Sequence, residues 1–371
     1  MATNIDETVE SIRIAIVGKY NNHSDAYLSV MKAVVHSCIS LALKPDIVWI
    51  DASDLEERTE AKHKDKYESA WALLKGCKCI IVPGGFGVRG VEGKVLATKY
   101  AREARVPFLG VCLGMQVMVI EYARHVLGLQ DANSTEFDEA TEHPVIVFMP
   151  EINHNVMGGT MRLGARPTSV AKDYVEGVSA HGGGGVEAGD VTPDSPRVGA
   201  RTLASEVYAT EEAGDAVIER HRHRYEVNPK YTERLRTAGL VFSGTGDMGV
   251  RMEIAELRRD IHPYYLGTQF HPEFKSRPNR PSPPFFGLIA TASGRTELLG
   301  QAGREWQKHE TDSLSQFQFS PMSPSHARLL HSPASAGKRR SNNVGGGERS
   351  NGGADINRQK QRRSCSESTL F

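Results

Sequence analysis

The sequence lacks the features that are typical of secreted, membrane-bound and nucleic-acid-binding proteins. Its first residues, MATNIDETVES, are polar and acidic, and no apolar run approaches the roughly 18 residues that span a bilayer. Lysine plus arginine equals aspartate plus glutamate, at 45 each, so the overall charge favours neither a nucleic acid nor a membrane as partner. The five cysteines show no disulfide spacing, and we expect a soluble, cytoplasmic protein.

Hydrophobic residues are unevenly distributed along the chain. They make up 39% of its 371 residues, which is enough for a substantial core. Residues 12–300 alternate apolar runs with turn signals, whereas residues 301–371 are mostly Ser, Gly, Arg and Gln. We therefore predict one globular domain over 12–300 and a disordered tail over 301–371. Within the domain, the Gly- and Pro-rich residues 178–198 are predicted to form a flexible insertion.

The first part of the domain alternates strand-like and helix-like segments, which predicts an α/β fold with a mostly parallel central sheet and helices on both faces. From about residue 140, short runs separated by loops predict further strands added to the same sheet, among them VIERHRHRYEV (217–227). The predicted strands of the first part are 12–20, 46–50, 79–82 and 107–111, and its clearest predicted helices are 25–43, with Ser24 as N-cap, 93–105 and 113–127.

Cys112 lies between two glycines, at the junction of a predicted strand and a predicted helix, in the segment FLGVCLGMQ (108–116). The run Gly110-Val111-Cys112-Leu113-Gly114 is typical of a nucleophile elbow, in which a strained turn lifts the nucleophile off the sheet. The N–H of the next residue then faces an oxyanion, and the helix N-terminus favours a thiolate. The alternative is that Cys112 is a buried core residue without a catalytic role. The pentapeptide by itself slightly favours this alternative.

A base for this thiol is predicted where another apolar run, residues 264–270, ends in His271-Pro272-Glu273. If that strand continues, His271 and Glu273 lie on one face because side chains alternate with period two, and the carboxylate orients the imidazole. With Cys112 this arrangement makes a Cys-His-Glu triad. An isolated His-Pro pair is ordinarily a turn, so the assignment depends on the elbow.

A glycine-rich loop, VPGGFGVRG (82–90), follows the predicted third strand. Gly84 and Gly85 permit backbone conformations that point an amide into the site, so the loop is a candidate second oxyanion donor. A glycine-rich turn after a strand is also an ordinary structural feature, and the spacing fits neither a Walker loop nor a dinucleotide-binding fingerprint. The functional interpretation is favoured because the elbow, the loop and HPE occur together, each at a strand end.

Together these motifs resemble the class I glutamine amidotransferase family and, within it, the glutaminase half of CTP synthases. The resemblance runs from about residue 12 to about residue 295. The wider family shares only the elbow, the glycine loop and HPE, whereas NSTEF and RHRHRYEVN look specific to CTP synthases. The segments that carry the resemblance are GKY (18–20), PGGFGVRGVEGK (83–94), FLGVCLGMQ, DANSTEF (131–137), MGGTMRLG (157–164), ERHRHRYEVN (219–228), FHPEF (270–274) and RPSPPFFGL (280–288).

The resemblance implies roles for individual residues. Cys112 would form a glutamyl thioester, His271 would act as base and then as acid, and Glu273 would orient it. The ammonium of glutamine suits Glu136, and its carboxylate suits a guanidinium such as that of Arg224. The implied glutamine pocket consists of Gly85, Leu113, Gly114, Met115, Gln116, Glu136 and Arg224, and the implied oxyanion donors are in Gly84 and Leu113.

The resemblance also implies the larger reaction. The glutaminase half of CTP synthase hydrolyses L-glutamine and supplies ammonia for the ATP-dependent amination of UTP to CTP. The synthetase half, which would hold UTP, ATP and magnesium, is absent from this sequence, and GTP would be an activator. Residues 1–11 correspond to the linker between the halves. We expect either a truncated gene or a free-standing glutaminase, with no cofactor and no metal bound to this chain, because the HxH pair lacks a third ligand.

Two other functions remain open at this point. The domain could be a non-catalytic partner that joins CTP synthase oligomers, against which the complete triad argues. It could also be another class I hydrolase such as a peptidase, which Glu136 and Arg224 disfavour. The tail carries serines in Ser-Pro pairs or after two arginines, which are either phosphorylation sites or part of an inert tail: Ser320, Ser323, Ser332, Ser341 and Ser364.

Overall fold

The computed structural model describes residues 10–19, 27–149, 161–174, 200–212 and 214–316. The strands are β1 (Ser11–Gly18), β2 (Lys44–Asp51), β3 (Cys79–Val82), β4 (Phe108–Val111), β5 (Asn133–Ser134), β6 (Pro144–Phe148), β7 (Arg162–Val170), β8 (Ala216–His223), β9 (Tyr225–Val227), β10 (Val241–Gly246), β11 (Arg251–Glu256) and β12 (Tyr265–Thr268). The α-helices are α1 (Leu28–Ser40), α2 (Glu57–Lys62), α3 (Lys64–Lys75), α4 (Val91–Glu103), α5 (Leu113–His125), α6 (Leu203–Tyr208), α7 (Pro229–Thr237), α8 (Pro283–Ala292) and α9 (Gln301–Gln316).

The main sheet has nine strands in the order β2-β1-β3-β4-β12-β11-β10-β7-β8. The first five are parallel, and the remaining four are added antiparallel. The predicted α/β fold with a parallel central sheet is confirmed, and so is the addition of later strands to its edge. The sheet as a whole is mixed, because β11, β10, β7 and β8 run antiparallel to their neighbours, and the later strands β6 and β9 join a second sheet instead.

Helices cover both faces of the sheet, as predicted. On β1, Ile14 and Ile16 point to one side, where they join the core formed with α1, α6, α8 and α9. Ala15 and Val17 point to the other side, into the core formed with α3, α4, α5 and α7. All four side chains are fully buried. This burial on both faces explains why the parallel strands read as continuous apolar runs.

A second, three-stranded sheet has the order β5-β6-β9. The segment VIERHRHRYEV, predicted as one strand, is divided between the two sheets at Arg224. Before this residue β8 pairs with β7, and after it β9 pairs with β6. The residue types do not mark the break, because charged residues and histidines continue without interruption from Glu219 to Arg224. The change of sheet places Arg224 at an exposed corner beside the ends of the parallel strands.

The predicted start of the tail at residue 301 is wrong. Residues 301–316 form α9, on which Ala302 and Trp306 are buried. The side-chain amide of Gln307 donates hydrogen bonds to the carbonyl oxygens of Tyr208 (3.1 Å) and Ala209 (2.7 Å) at the end of α6. The helix is mostly polar, so its buried apolar pair, four positions apart, was too weak a signal against a polar composition.

Several predictions lie outside the described residues. They concern most of the 1–11 linker, the 178–198 insertion, the Ser24 cap and the tail serines. The N–H of Tyr174 donates to the carbonyl oxygen of Ala200 at 3.0 Å, and the N–H of Thr202 donates to that of Lys172 at 2.8 Å, so the described segments on either side of residues 175–199 are hydrogen-bonded to each other. In the part of the chain that the structure describes, no helix combines the length and the apolar character needed to cross a bilayer.

Candidate active site

Cys112 occupies the sharp turn between β4 and α5. Its backbone has φ 54° and ψ −101°, a conformation that a residue with a side chain rarely adopts. The Cys112 N–H donates to the carbonyl oxygen of Thr268 at 2.6 Å, which ties the turn to the end of β12. The residue is the N-cap of α5, so its sulfur lies at the positive end of the helix dipole.

The two glycines beside Cys112 are needed for close packing. A Cβ atom on Gly110 would lie 2.6 Å from the carbonyl carbon of Gly114. A Cβ atom on Gly114 would lie 2.0 Å from the carbonyl oxygen of Val82 in β3. Both distances are far below a normal contact, so a side chain at either position would push the turn away from the sheet. The glycines therefore hold the Cys112 turn against the ends of the parallel strands.

His271 and Glu273 are in contact, although the predicted strand does not reach them. β12 ends at Thr268, and residues Pro272–Lys275 form a 3₁₀ turn. The expectation that the pair shares a strand face is wrong, because Pro272 begins a helical turn that a strand cannot include. This turn brings Oε1 of Glu273 to 2.8 Å from Nδ1 of His271. The His271 N–H donates to the carbonyl oxygen of Arg220 at 2.8 Å and holds the residue in place.

The charge on the imidazole depends on these neighbours. Burial by itself would lower the pKa of His271, but the Glu273 carboxylate and the Cys112 sulfur outweigh burial and raise the pKa well above its ordinary value. Part of the rise comes from a hydrogen bond between the His271 and Cys112 side chains. The site therefore favours an imidazolium between a sulfur and a carboxylate, which is the arrangement of an activated cysteine nucleophile.

The glycine loop, residues 83–90, lies against these residues. A Cβ atom on Gly84 would be 2.9 Å from Cε1 of His271 and 3.5 Å from Cβ of Cys112. A Cβ atom on Gly85 would be 3.7 Å from Cδ2 of Leu113, at the start of α5. At position 84, only a residue without a side chain can therefore bring its backbone this close to the imidazole, whereas a Cβ atom at position 85 would make an ordinary contact.

Two charged side chains hold the tip of this loop. Nζ of Lys19 donates to the carbonyl oxygen of Phe86 at 2.8 Å and also to that of Gly87. On the other side, the Gly87 N–H donates to Oε1 of Glu136 at 3.1 Å. Burial lowers the pKa of Lys19, and Glu136 opposes this effect. No role for Lys19 was predicted from the sequence, although the GKY segment that contains it marked the end of β1.

Glu136 and Arg224 both act electrostatically on Tyr225. Burial raises the pKa of Tyr225, the Glu136 carboxylate raises it further, and the Arg224 guanidinium lowers it. Glu136 is half-buried in the turn after β5, and Arg224 is exposed between β8 and β9. The two charges that were predicted for the ends of a glutamine molecule are therefore both within electrostatic range of Tyr225.

The first turn of α5 contributes backbone atoms and one polar side chain. Leu113, Gly114 and Met115 are buried, and Met115 packs toward Gly267 in β12, so its side chain belongs to the core. Nε2 of Gln116 donates to the carbonyl oxygen of Tyr225 at 3.0 Å. Residues 113–116, which were predicted to line the glutamine pocket, therefore lie directly after Cys112 in the first turn of α5.

Two further residues beside the site carried no signal in the sequence. Gln269 lies just after β12, and its Nε2 donates to Sγ of Cys112 at 3.7 Å. Lys94 of α4 is fully buried, and its Nζ has no hydrogen-bond partner among the described residues. Burial, and secondarily the Lys19 ammonium, lower the pKa of Lys94 to about 7.

Across the described ranges, no three His, Cys, Asp or Glu side chains are arranged to hold a metal ion.

The chain matches known families over most of its length. The family model described as glutamine amidotransferase class-I matches residues 22–291. The CTP synthase of Eremothecium gossypii is 46% identical over 306 residues, which cover 82% of this chain and 48% of that protein. Human CTP synthase 1 is 44% identical over 313 residues, which cover 84% of this chain and 48% of that protein. The chain thus spans about half the length of these relatives.

A solved structure agrees with these matches. The glutaminase domain of Trypanosoma brucei CTPS, described with bound acivicin, is 37% identical in sequence and superimposes with a TM-score of 0.62. The match covers 77% of this chain and 95% of that domain. The chain therefore belongs to the class I glutamine amidotransferase family, among the glutaminase domains of CTP synthases.

Proposed function

We propose that this chain hydrolyses L-glutamine to glutamate and ammonia through a thioester on Cys112. The observation that carries the proposal is the strained Cys112 turn with the His271–Glu273 pair beside it, joined by a 2.8 Å contact between Nδ1 and Oε1. Family membership supports the same reaction. A packing role for Cys112 is disfavoured, because a core cysteine needs neither a left-handed backbone nor a charged imidazole.

In the first half of the reaction, His271 takes the thiol proton and the Cys112 sulfur attacks the side-chain amide carbon of glutamine. The negative charge that develops on the amide oxygen faces the Leu113 N–H at the start of α5 and an N–H of the Gly84–Gly85 segment. As the carbon–nitrogen bond breaks, His271 returns its proton to the nitrogen, and ammonia leaves. The products of this half are the thioester and ammonia.

In the second half, a water molecule attacks the thioester and gives a proton to His271. When the carbon–sulfur bond breaks, the sulfur recovers this proton and glutamate leaves. Glu273 accepts the Nδ1–H of His271 throughout, so that Nε2 faces the reacting atoms. Glu136 would bind the α-ammonium group of the substrate and Arg224 its α-carboxylate, with Gly85 and the 113–116 turn completing the pocket.

The larger context is also a proposal. In a CTP synthase, the ammonia would aminate UTP to CTP in a synthetase half that binds ATP and magnesium, with GTP as activator. We propose that this chain works with such a half, either in a longer protein or in full-length subunits with which it assembles, and that it does so in the cytoplasm. The match over 48% of the human protein supports this proposal.

The decisive experiment is ammonia release from glutamine by the purified chain, compared with Cys112→Ala and with Cys365→Ala as a matched control. It is run with and without a separately expressed synthetase half, GTP, UTP and ATP. We expect Cys112→Ala to lose all turnover while keeping its fold, and Cys365→Ala to behave as wild type. Turnover that survives in Cys112→Ala contradicts the mechanism, and no release under any of these conditions contradicts the function.

A further inference from the structure

Gln269 contacts the proposed nucleophile but has no part in the triad. It is 1% exposed, and its N–H donates to the carbonyl oxygen of Glu253 at 2.8 Å, so its backbone is fixed. Its side chain lies between two residues of the site: Oε1 is 3.2 Å from Nε2 of Gln116, and Nε2 is 3.7 Å from Sγ of Cys112.

The hydrogen bonds decide which end of the Gln269 amide faces the sulfur. The carbonyl oxygen of Tyr225 can only accept, so the group of Gln116 that lies 3.0 Å from it must be the NH₂ group. The second hydrogen of this group points to Gln269, which must therefore present its oxygen. The remaining end of the Gln269 amide, its NH₂ group, faces Cys112. A backbone carbonyl thus sets the orientation of two successive amides.

The sulfur of Cys112 has neighbours that favour opposite protonation states. The carbonyl oxygen of Arg222, 3.9 Å away, accepts a hydrogen bond from the thiol and so favours the protonated form. The NH₂ group of Gln269 can donate to a thiolate and so favours the ionised form. When the proton moves to His271, the contact with Arg222 loses its hydrogen, whereas the contact with Gln269 becomes stronger because its acceptor is now charged.

We propose that Gln269 is a positioning residue. Its NH₂ group donates a hydrogen bond to the thiolate of Cys112, which stabilises the thiolate and fixes the position of the sulfur. The proposal rests on the proposed function only in taking Cys112 as the nucleophile. It assigns a second task to Gln116, which fixes the Gln269 amide in addition to any contact with the substrate.

The test is the pH dependence of alkylation of Cys112 by iodoacetamide, followed at the level of the modified peptide. Peptide resolution separates Cys112 from the other cysteines. We compare wild type with Gln269→Met, which keeps the volume but removes the donor, and with Gln130→Met as an exposed control. In Gln269→Met the midpoint of the profile is expected to rise by about one pH unit, so that alkylation at pH 7 slows several-fold. Gln130→Met is expected to match wild type.

A second variant tests the proposal independently. Gln116→Met leaves Gln269 in place but frees its amide to rotate, so we expect a shift in the same direction and of smaller size. If Gln269→Met does not fold, Gln116→Met still decides the matter. Equal profiles in wild type and a folded variant overturn the role of Gln269 and leave the proposed function standing. A chain without any glutaminase turnover would contradict the function, yet its alkylation profiles would still report on Gln269.

Discussion

The parallel strands of the main sheet bury almost only apolar side chains, whereas its antiparallel strands bury ionisable side chains as well. All four residues of β3, Cys79–Val82, are apolar and fully buried. On β8, by contrast, three of the four buried residues of one face are ionisable, namely Glu219, His221 and His223, and the fourth is Val217. The comparison indicates that packing stabilises the first half and that hydrogen-bonded polar groups stabilise the second.

Glu256 on β11 is the clearest example from the antiparallel half. Its Oε1 accepts hydrogen bonds from the Leu203 N–H (2.7 Å) and the Tyr174 hydroxyl (2.8 Å). Its Oε2 accepts from the Ala204 N–H (2.9 Å) and the Ser243 hydroxyl (2.6 Å). One buried carboxyl group thus satisfies two unpaired N–H groups at the start of α6 and connects three segments of the chain.

The largest effect is expected from Gly114→Ala in the parallel half. The new methyl group would meet the carbonyl oxygen of Val82 at 2.0 Å, and a backbone atom cannot move aside cheaply. We expect a loss of about 3 kcal/mol or more in the free energy of unfolding, or no folded protein. The measurement is urea unfolding. Gly76→Ala is the control, because its Cβ atom would meet only ordinary contacts from 3.4 Å. A stable Gly114→Ala variant would refute the packing argument.

The next effect is expected from Glu256→Gln in the antiparallel half. Whichever way the amide turns, its NH₂ group faces one of the N–H groups of Leu203 and Ala204, so one buried donor loses its acceptor. We expect a loss of about 2 kcal/mol, measured by thermal and urea unfolding. Glu233→Gln, on an exposed face of α7, should change stability little. Equal stability of the two variants would mean that the polar network is not stabilising.

Lys94→Met removes a buried ionisable side chain from α4, which packs against the parallel strands. The pKa of Lys94 is about 7 in the folded protein, against 10.5 for an unperturbed lysine, so the unfolded chain binds the proton more tightly. The wild type therefore becomes more stable as pH rises from 7 to 10.5. We expect Lys94→Met to be more stable than wild type by about 2 kcal/mol at pH 7, with an advantage that shrinks by about 1 kcal/mol per pH unit above that. Unfolding curves at pH 7 and pH 9 measure this, and an advantage that grows with pH would contradict it.

The smallest effect is expected from Arg13→Ala on the solvent side of the parallel half. Nε of Arg13 lies 3.1 Å from Oδ2 of Asp46, but the two side chains are 47% and 53% exposed. Water screens such a pair, so we expect a change of at most about 0.5 kcal/mol. Thermal unfolding at low and high salt checks this. A loss above about 1 kcal/mol would show that exposed charges also contribute to this half.

The same comparison explains how much could be predicted from the sequence. Continuous apolar runs identified β1 to β4 and the elbow at Cys112, and the runs are clearest in β1, β3 and β4 because those strands are buried on both faces. The break at Arg224 was missed, since it depends on which sheet each side of it joins. The path from β12 to Glu273 was also predicted wrongly, because Pro272 outweighs the period of the strand before it.

Sequence patterns did not predict the residues that support the site. Lys19, Lys94 and Gln269 are each ordinary in their local context. Their relevance comes from contacts with residues far away in the chain, such as the bond from Lys19 to Phe86 and the contact of Gln269 with Cys112. A pattern within a dozen residues predicts an element or a motif, whereas a contact across the sheet is fixed only when the whole domain has folded.

The backbone of Cys112 has a consequence for how this domain can evolve. Glycine is the residue that tolerates φ 54° and ψ −101°, so a cysteine there is held in a conformation that costs about 1 to 3 kcal/mol. Selection for stability alone would favour glycine at this position and remove the thiol. A cysteine retained in a glycine-like conformation is therefore the mark of a trade-off, in which the protein gives up stability to keep a reactive group.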